Sequence, residues 1–255
     1  MLRQRRALLT AAAALALPVR ADLVSVIAAA KPSVLPVGTF SATDNPRFGF
    51  RGTGFVVGDG TLVATNFHVL PTAAEAASGP PLAVLVPLVR GNEAGQLRRA
   101  RVVATDRPHD LALLKIEGDA LTPLNLADAG TAREGQAVAL LGFPIGGALG
   151  FAVVSHRGII ASITTAALPA PTAQQLDPRA LMRLREGNYE VLQLDATAYP
   201  GNSGGPLLDA DTGRVLGIVN MVVVKAGRES ALSNPTGMTY AIPVQHLHDL
   251  LKSPR

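Results

Sequence analysis

The chain has no cysteine and no tryptophan. Without cysteine there is no disulfide framework, no thiol nucleophile and no cysteine-based zinc site. Aromatic residues are scarce as well, at 4%, so a core must be built mainly from Val, Leu, Ile and Ala. Charge of one sign is also missing once the chain is divided. The formal net charge is +4, but Arg3, Arg5, Arg6 and Arg20 are the only charged residues before Asp22. Setting these four aside leaves 19 basic and 19 acidic side chains. The basic excess therefore belongs to the leader, and nucleic acid is not an expected partner. Long apolar runs are absent except in that leader. There, Met1–Arg6 is a basic segment, Ala7–Leu17 an apolar run too short to span a bilayer comfortably, and Val19-Arg20-Ala21 a small-residue cleavage site. The reading is a signal peptide over 1–21, of Sec or twin-arginine type, a mature start at Asp22, a periplasmic or secreted location and no stable membrane insertion after cleavage.

What is abundant is glycine, proline and short β-branched runs. There are 25 Gly and 19 Pro, and they divide apolar stretches such as 54–57, 61–64, 82–89, 101–104, 111–116, 137–141, 158–163, 191–194, 215–219 and 239–242. Many short strands at this spacing indicate an all-β barrel or sandwich architecture. Asp22–Ala30 can make two helical turns before Pro32, and Val244–Lys252 is a second helix. Residues 124–136 have linker composition and split the mature chain roughly in half. Residues 169–188 form a polar insertion.

Three stretches carry chemistry. In Pro200-Gly-Asn-Ser-Gly-Gly-Pro-Leu207 a serine sits among glycines between strand-like segments. Such a turn exposes one hydroxyl and can aim backbone N–H groups at one point, as acyl transfer requires. In Leu62–Leu70 an apolar strand runs into His68, which alone reads as structural. In Pro108–Ile116, Asp110 opens an apolar strand and alone reads as a strand cap; His109 beside it reads as a surface residue. Together they supply nucleophile, base and carboxylate in the order His, Asp, Ser, which separates this chain from subtilisins and α/β-hydrolases. No cofactor and no metal ligand set is expected.

The ordered set resembles the trypsin-like serine proteases of the HtrA/Deg group. TNFHVL is similar to that group's histidine motif, HDLALLKI to its aspartate motif and PGNSGGPLLD to its serine motif. Further matching segments are Leu141–Gly146, Arg157–Ile160, Asn188–Asp195 and Tyr240–Pro243. The resemblance covers about residues 23–252. It implies two six-stranded antiparallel β-barrels, about 31–125 and 136–243, with a C-terminal helix over 244–252. It also implies a catalytic triad of His68, Asp110 and Ser203 and an oxyanion hole from the amides of Gly201 and Ser203. It places Thr197 and the strand Val219-Asn220-Met221 around the substrate, whose backbone would pair with that strand. Asn202 stands where digestive trypsins carry an aspartate, so activation through an N-terminal ion pair is not expected. A PDZ domain after the protease domain is not expected either. The implied function is a serine endopeptidase acting on unfolded or flexible polypeptides after small or medium aliphatic P1 residues, and a homotrimer is compatible with it. Two other readings are an esterase, since Gly201–Gly205 satisfies GxSxG and Asp209, Asp211, His246 and His248 follow it, and a catalytically silent polypeptide-binding protein of the same fold.

Overall fold

The computed structural model describes residues 22–86, 95–146, 150–165, 189–220 and 238–253. The leader over 1–21, the polar insertion over 169–188 and Met221 lie outside the described residues. Twelve strands close into two antiparallel barrels. The first holds β1 Val34–Phe40, β2 Phe48–Val57, β3 Leu62–Asn66, β4 Leu82–Val86, β5 Gln96–Asp106 and β6 Leu111–Ile116. The second holds β7 Ala137–Gly142, β8 Val154–Thr165, β9 Glu190–Asp195, β10 Pro206–Asp209, β11 Val215–Asn220 and β12 Met238–Pro243. Neighbours around each barrel run in one order: first, second, third, sixth, fifth, fourth. One topology is thus used twice, although the two halves show no evident sequence repeat.

The strands differ in how they read. β3 and β11 are buried along their whole length, which explains their continuous apolar sequences. β5 is eleven residues long and none of them is fully buried; its Arg-rich sequence shows only part of it as a strand. β2 is longer than its apolar end, because Gly49, Gly52 and Gly54 sit where neighbours approach too closely for a side chain. A short helix, α2 Ala73–Ser78, is not evident from composition. It is fixed by a capping box in which Thr72 and Glu75 satisfy each other's backbone N–H groups.

Closed barrels leave no free edges, so the remaining apolar surface is at their junction. α1 Leu23–Ala30 buries Val26 and Ala30, with Val26 against the β10–β11 turn at Gly213. α1 therefore packs on the second barrel before β1 enters the first. α3 Val244–Lys252 buries Val244, Leu247 and Leu250 and touches β5 and β6 of the first barrel and β11 and β12 of the second. Each fully buried Leu contributes about 1.5–3 kcal/mol, so this helix is a substantial tie between barrels. The 124–136 segment serves the same end: the Leu124 amide donates to Val56 O, and Leu126 bridges to Val215. Among the described residues no helix is long and apolar enough to cross a membrane.

The β10–β11 turn is organised by Asp209. Its Oδ1 accepts from the amides of Asp211 (3.0 Å) and Thr212 (2.6 Å), and its Oδ2 from Gln136 Nε2. Burial pushes this carboxyl up, but the hydrogen bonds from Thr212, Gln136 and Asp211 outweigh it and hold the carboxyl below its ordinary value. A depressed folded-state value contributes stability that is complete above the unfolded value of about 3.9 and is lost as pH falls through the folded value. Urea melts at pH 7 and pH 3 should therefore show wild type more stable than Asp209→Asn at neutrality, with the gap narrowing in acid. A gap independent of pH would show that the carboxylate charge does not hold this turn.

Candidate active site

The turn between β5 and β6 delivers Asp110 in a left-handed conformation, φ 53°. Aspartate tolerates this region better than most residues, and every polar group of Asp110 is engaged. Its amide donates to Arg107 O (3.1 Å), and its carbonyl accepts from the Phe67 amide (2.9 Å) and from Asn66 Nδ2 (3.1 Å). Its Oδ1 accepts from the His68 amide (2.9 Å), while Oδ2 lies 2.6 Å from His68 Nδ1 and accepts from Asn220 Nδ2 (3.0 Å). The residue is only 6% exposed, and a buried carboxylate is tolerated only when satisfied in this way. His68 sits on a single 3₁₀ turn, Phe67–Val69, directly after β3. Its ring is thus oriented by a carboxylate that also holds its own backbone, leaving Nε2 as the outward-facing nitrogen.

The serine comes from the other barrel. In the 199–205 turn, the Asn202 amide donates to Tyr199 O, Gly205 to Asn202 O and Gly204 to Val219 O. Gly201 has φ 106°, and a Cβ there would stand 2.2 Å from Phe143 O. Gly204 has φ 85°, and its Cβ would meet Thr53 O at 2.1 Å. Both positions therefore require glycine. The carbonyls on either side of the Gly201 amide are pinned: Pro200 O accepts from the Ile145 amide (2.8 Å) and Gly201 O from Thr53 Oγ1 (2.6 Å). In a trans peptide N–H and C=O point in opposite directions, so the Gly201 N–H is turned away from the Ile145 loop. Among the described residues neither the Gly201 nor the Ser203 amide donates to another group. The turn abuts the end of β3, since a Cβ on Gly204 would also lie 3.1 Å from Asn66 N. Ser203 is 7% exposed, and no hydrogen bond joins its hydroxyl to His68 among the described residues.

A family profile described as a trypsin-like peptidase domain matches residues 52–218. The chain belongs to the trypsin-like peptidase family. Its sequence relatives include proteases of the HtrA/Deg type. A probable periplasmic serine endoprotease, DegP-like, from Halomonas elongata is 32% identical over 199 residues, covering 78% of this chain and 34% of that protein. A mitochondrial serine protease, HTRA2, from Drosophila virilis is 32% identical over 202 residues, 79% of this chain and 39% of that protein. The chain thus spans about a third of the length of the relatives it matches. Among solved structures, Deg5 superposes with a TM-score of 0.61 at 24% identity, covering 89% of this chain and 90% of that one. An HtrA-type protease solved with a tripeptide gives 0.63 at 23%, covering 91% and 63%. These two likenesses concern the fold.

Within this trypsin-like frame the expected substrate residues separate. Thr197 lies half-buried in the segment leading to the serine turn. The backbone of Val219 is already used, its N–H by Gly205 O and its C=O by the Gly204 amide (both 2.9 Å). Its N–H is thus not free to pair with an added strand, and its C=O is already engaged within the second barrel. The Asn220 side chain turns to Asp110, and Met221 lies outside the described residues. Sequence reading missed Thr53 and Asn66, and named Asn220 only for the substrate strand and not for its bond to Asp110; these roles depend on contacts 44–148 residues apart. Asn202, noted for its lack of charge, is fully buried with neither amide atom hydrogen bonded among the described residues. An aspartate there would bury an unpaired charge.

Thr53 Oγ1 donates to Gly201 O and accepts from the Phe143 amide (3.2 Å). Thr53→Val preserves shape but leaves both groups unpaired, and each buried orphan costs about 1–3 kcal/mol. A destabilisation of about 2–4 kcal/mol in urea unfolding is expected. A loss below about 0.5 kcal/mol would mean that this hydroxyl does not anchor the serine turn.

Proposed function

We propose that this chain is a serine endopeptidase working through an acyl-enzyme. The observation that carries the reading is the buried Asp110 carboxylate, which holds both the backbone and Nδ1 of His68, on a barrel whose β2 and β3 pack against the glycine-restricted turn that carries Ser203. Ser203 Oγ attacks the scissile carbonyl while its proton passes to His68 Nε2. Asp110 keeps Nδ1 protonated and stabilises the imidazolium. The oxyanion formed is met by the Gly201 and Ser203 amides. The C–N bond then breaks as His68 returns the proton to the leaving amine. Water, deprotonated by the same imidazole, releases the acyl group and restores Ser203.

The substrates are unfolded or flexible polypeptides, which can add a strand alongside β11. Given the engagement of Val219, that pairing begins at or beyond Asn220. Thr197 supplies no charge for a basic P1 side chain, and burying an unpaired cation costs several kcal/mol. The pocket therefore favours Val, Ile, Leu or Ala, with shallow preference among them because one methylene changes binding by only about 1–3 kcal/mol. The 1–21 leader and the periplasmic naming of the DegP-like relatives support action outside the cytoplasm, with the mature chain starting at Asp22.

Unfolded casein and a P1-varied peptide library test the two levels separately. Ser203→Ala and His68→Ala should each lower turnover by about four to six orders of magnitude, and the double variant little further. A serine-reactive fluorophosphonate should label wild type and not Ser203→Ala. Undiminished hydrolysis by pure Ser203→Ala would refute the nucleophile assignment; absence of any labelling would favour a silent polypeptide-binding protein. Faster cleavage after Lys or Arg than after Val or Ile would overturn the pocket while leaving the triad standing.

A further inference from the structure

Behind the Asp110 turn lies a second cluster that proteolysis does not use. Asp106 ends β5, His109 sits in the following turn, and His246 is in the first turn of α3. His109 Nδ1 is 2.7 Å from Asp106 Oδ2, and the His109 amide donates to Asp106 Oδ1 (3.2 Å). The two imidazoles stack with centroids 3.7 Å apart and 20° between planes. Tyr189 walls the cluster edge-on, 5.0 Å from His109 and 6.0 Å from His246. His109 is thus not the free surface residue that its sequence position suggests. Hydrogen bonding accounts for the Asp106–His109 pair but not for His246, whose Nε2 is inaccessible to solvent and has no hydrogen-bond partner among the described residues. One ligand atom from each of the three residues lies within 4.8 Å of the others.

We propose that Asp106, His109 and His246 form a binding site for a divalent transition-metal ion of the Zn²⁺ type. Two imidazoles and one carboxylate suit such an ion, whereas Ca²⁺ and Mg²⁺ require mainly oxygen ligands. At bond lengths of about 2.0–2.2 Å, tetrahedral ligand atoms stand about 3.4 Å apart. Binding therefore opens the 2.7 Å Asp106–His109 contact and, because each imidazole lone pair lies in its ring plane, requires the two stacked rings to swing out of parallel. Three protein ligands leave a fourth position for water. The ion would tie the turn that fixes the left-handed backbone of Asp110 to α3, the helix that spans both barrels. It lies outside the His68–Asp110–Ser203 set and takes no part in acyl transfer.

The test uses the full mature chain without a histidine tag, stripped with EDTA and titrated with Zn²⁺ against a chromophoric chelator. One ion per chain is expected, with Kd on the order of 1 µM or tighter and a rise in thermal midpoint on addition. Co²⁺ should give the visible bands of a tetrahedral nitrogen–oxygen site. His246→Ala and Asp106→Asn should each weaken binding tenfold or more, whereas His68→Ala should leave it unchanged, which separates this site from an ion held by the His68–Asp110 pair. Circular dichroism in EDTA checks that each variant folds. Should His246→Ala not fold, Asp106→Asn and the wild-type Co²⁺ spectrum carry the decision. Binding weaker than about 100 µM, an octahedral Co²⁺ spectrum, or binding lost in His68→Ala and retained in His246→Ala or Asp106→Asn would overturn the proposal.

Discussion

The site depends on how β2 is held against the serine turn. The Thr53 amide donates to Ser203 O (2.9 Å), its hydroxyl donates to Gly201 O, and its carbonyl accepts from Thr65 Oγ1 (2.7 Å). One residue of the first barrel therefore grips the backbone of the serine turn and ties it to β3, the strand that leads to His68. Glycine makes this approach possible on both sides. A Cβ on Gly52 would lie 3.1 Å from Ser203 O, and one on Gly204 would collide with Thr53 O. Because His68 and Ser203 belong to different barrels, their relative position is only as fixed as this seam. Misplacement by about an ångström can cost a hundredfold in a reaction that needs near-attack geometry.

Asp110 makes a second crossing. Asn220, the last residue of β11, donates to the same carboxylate oxygen that faces His68 Nδ1. The second barrel thus helps to orient a pair carried by the first. The amide can only donate at Nδ2, so it stabilises the ionised carboxylate without competing for the imidazole proton. Burial raises the cost of an unmet charge, and these bonds together offset it. The same desolvation would make the loss of any one partner felt at His68, since the imidazole has no other described hydrogen bond to orient its ring.

The site residues were legible in the sequence to different degrees, for physical reasons. His68, Asp110 and Ser203 stand in local patterns: a strand running into a histidine, an aspartate opening a strand, a serine among glycines. Gly201 and Gly204 were legible because a positive φ and close backbone approach demand one residue type. An all-β barrel or sandwich followed from short Val/Leu/Ile runs punctuated by Gly and Pro, whereas the two-barrel arrangement was implied only by the resemblance of the ordered motifs. Thr53, Asn66 and the bond from Asn220 to Asp110 were not legible. A threonine or asparagine in a strand has no local signature, and its value lies in a partner far along the chain. The Val219 expectation shows a different limit. Which residues of a strand face an open edge depends on register, and a shift of one residue exchanges free backbone groups for occupied ones. The paired histidines 109 and 246 were likewise separated by most of the chain, so their stacking emerges only when α3 docks beside the Asp110 turn.

Backbone strain follows the same distribution. Among the described residues the non-glycine positions with positive φ are Asp110 and Ile145, at 53° and 62°. Both border the site. For Asp110 the side chain offers local compensation, but for a β-branched isoleucine the conformation is an outlier costing about 1–3 kcal/mol. Ile145 is 47% exposed, so burial of its side chain does not repay that cost. What the conformation does supply is an amide aimed at Pro200 O, which turns the next peptide so that the Gly201 N–H faces away from the loop. Strain persists where surrounding structure over-determines it. Here the determinants are the Phe143 carbonyl pressed against Gly201, the Thr53 hydroxyl bound to the Phe143 amide, and the Pro200 carbonyl itself. The strain at Ile145 is thus coupled to the direction of a single N–H bond, the one that the proposed mechanism needs for an oxyanion beside Ser203.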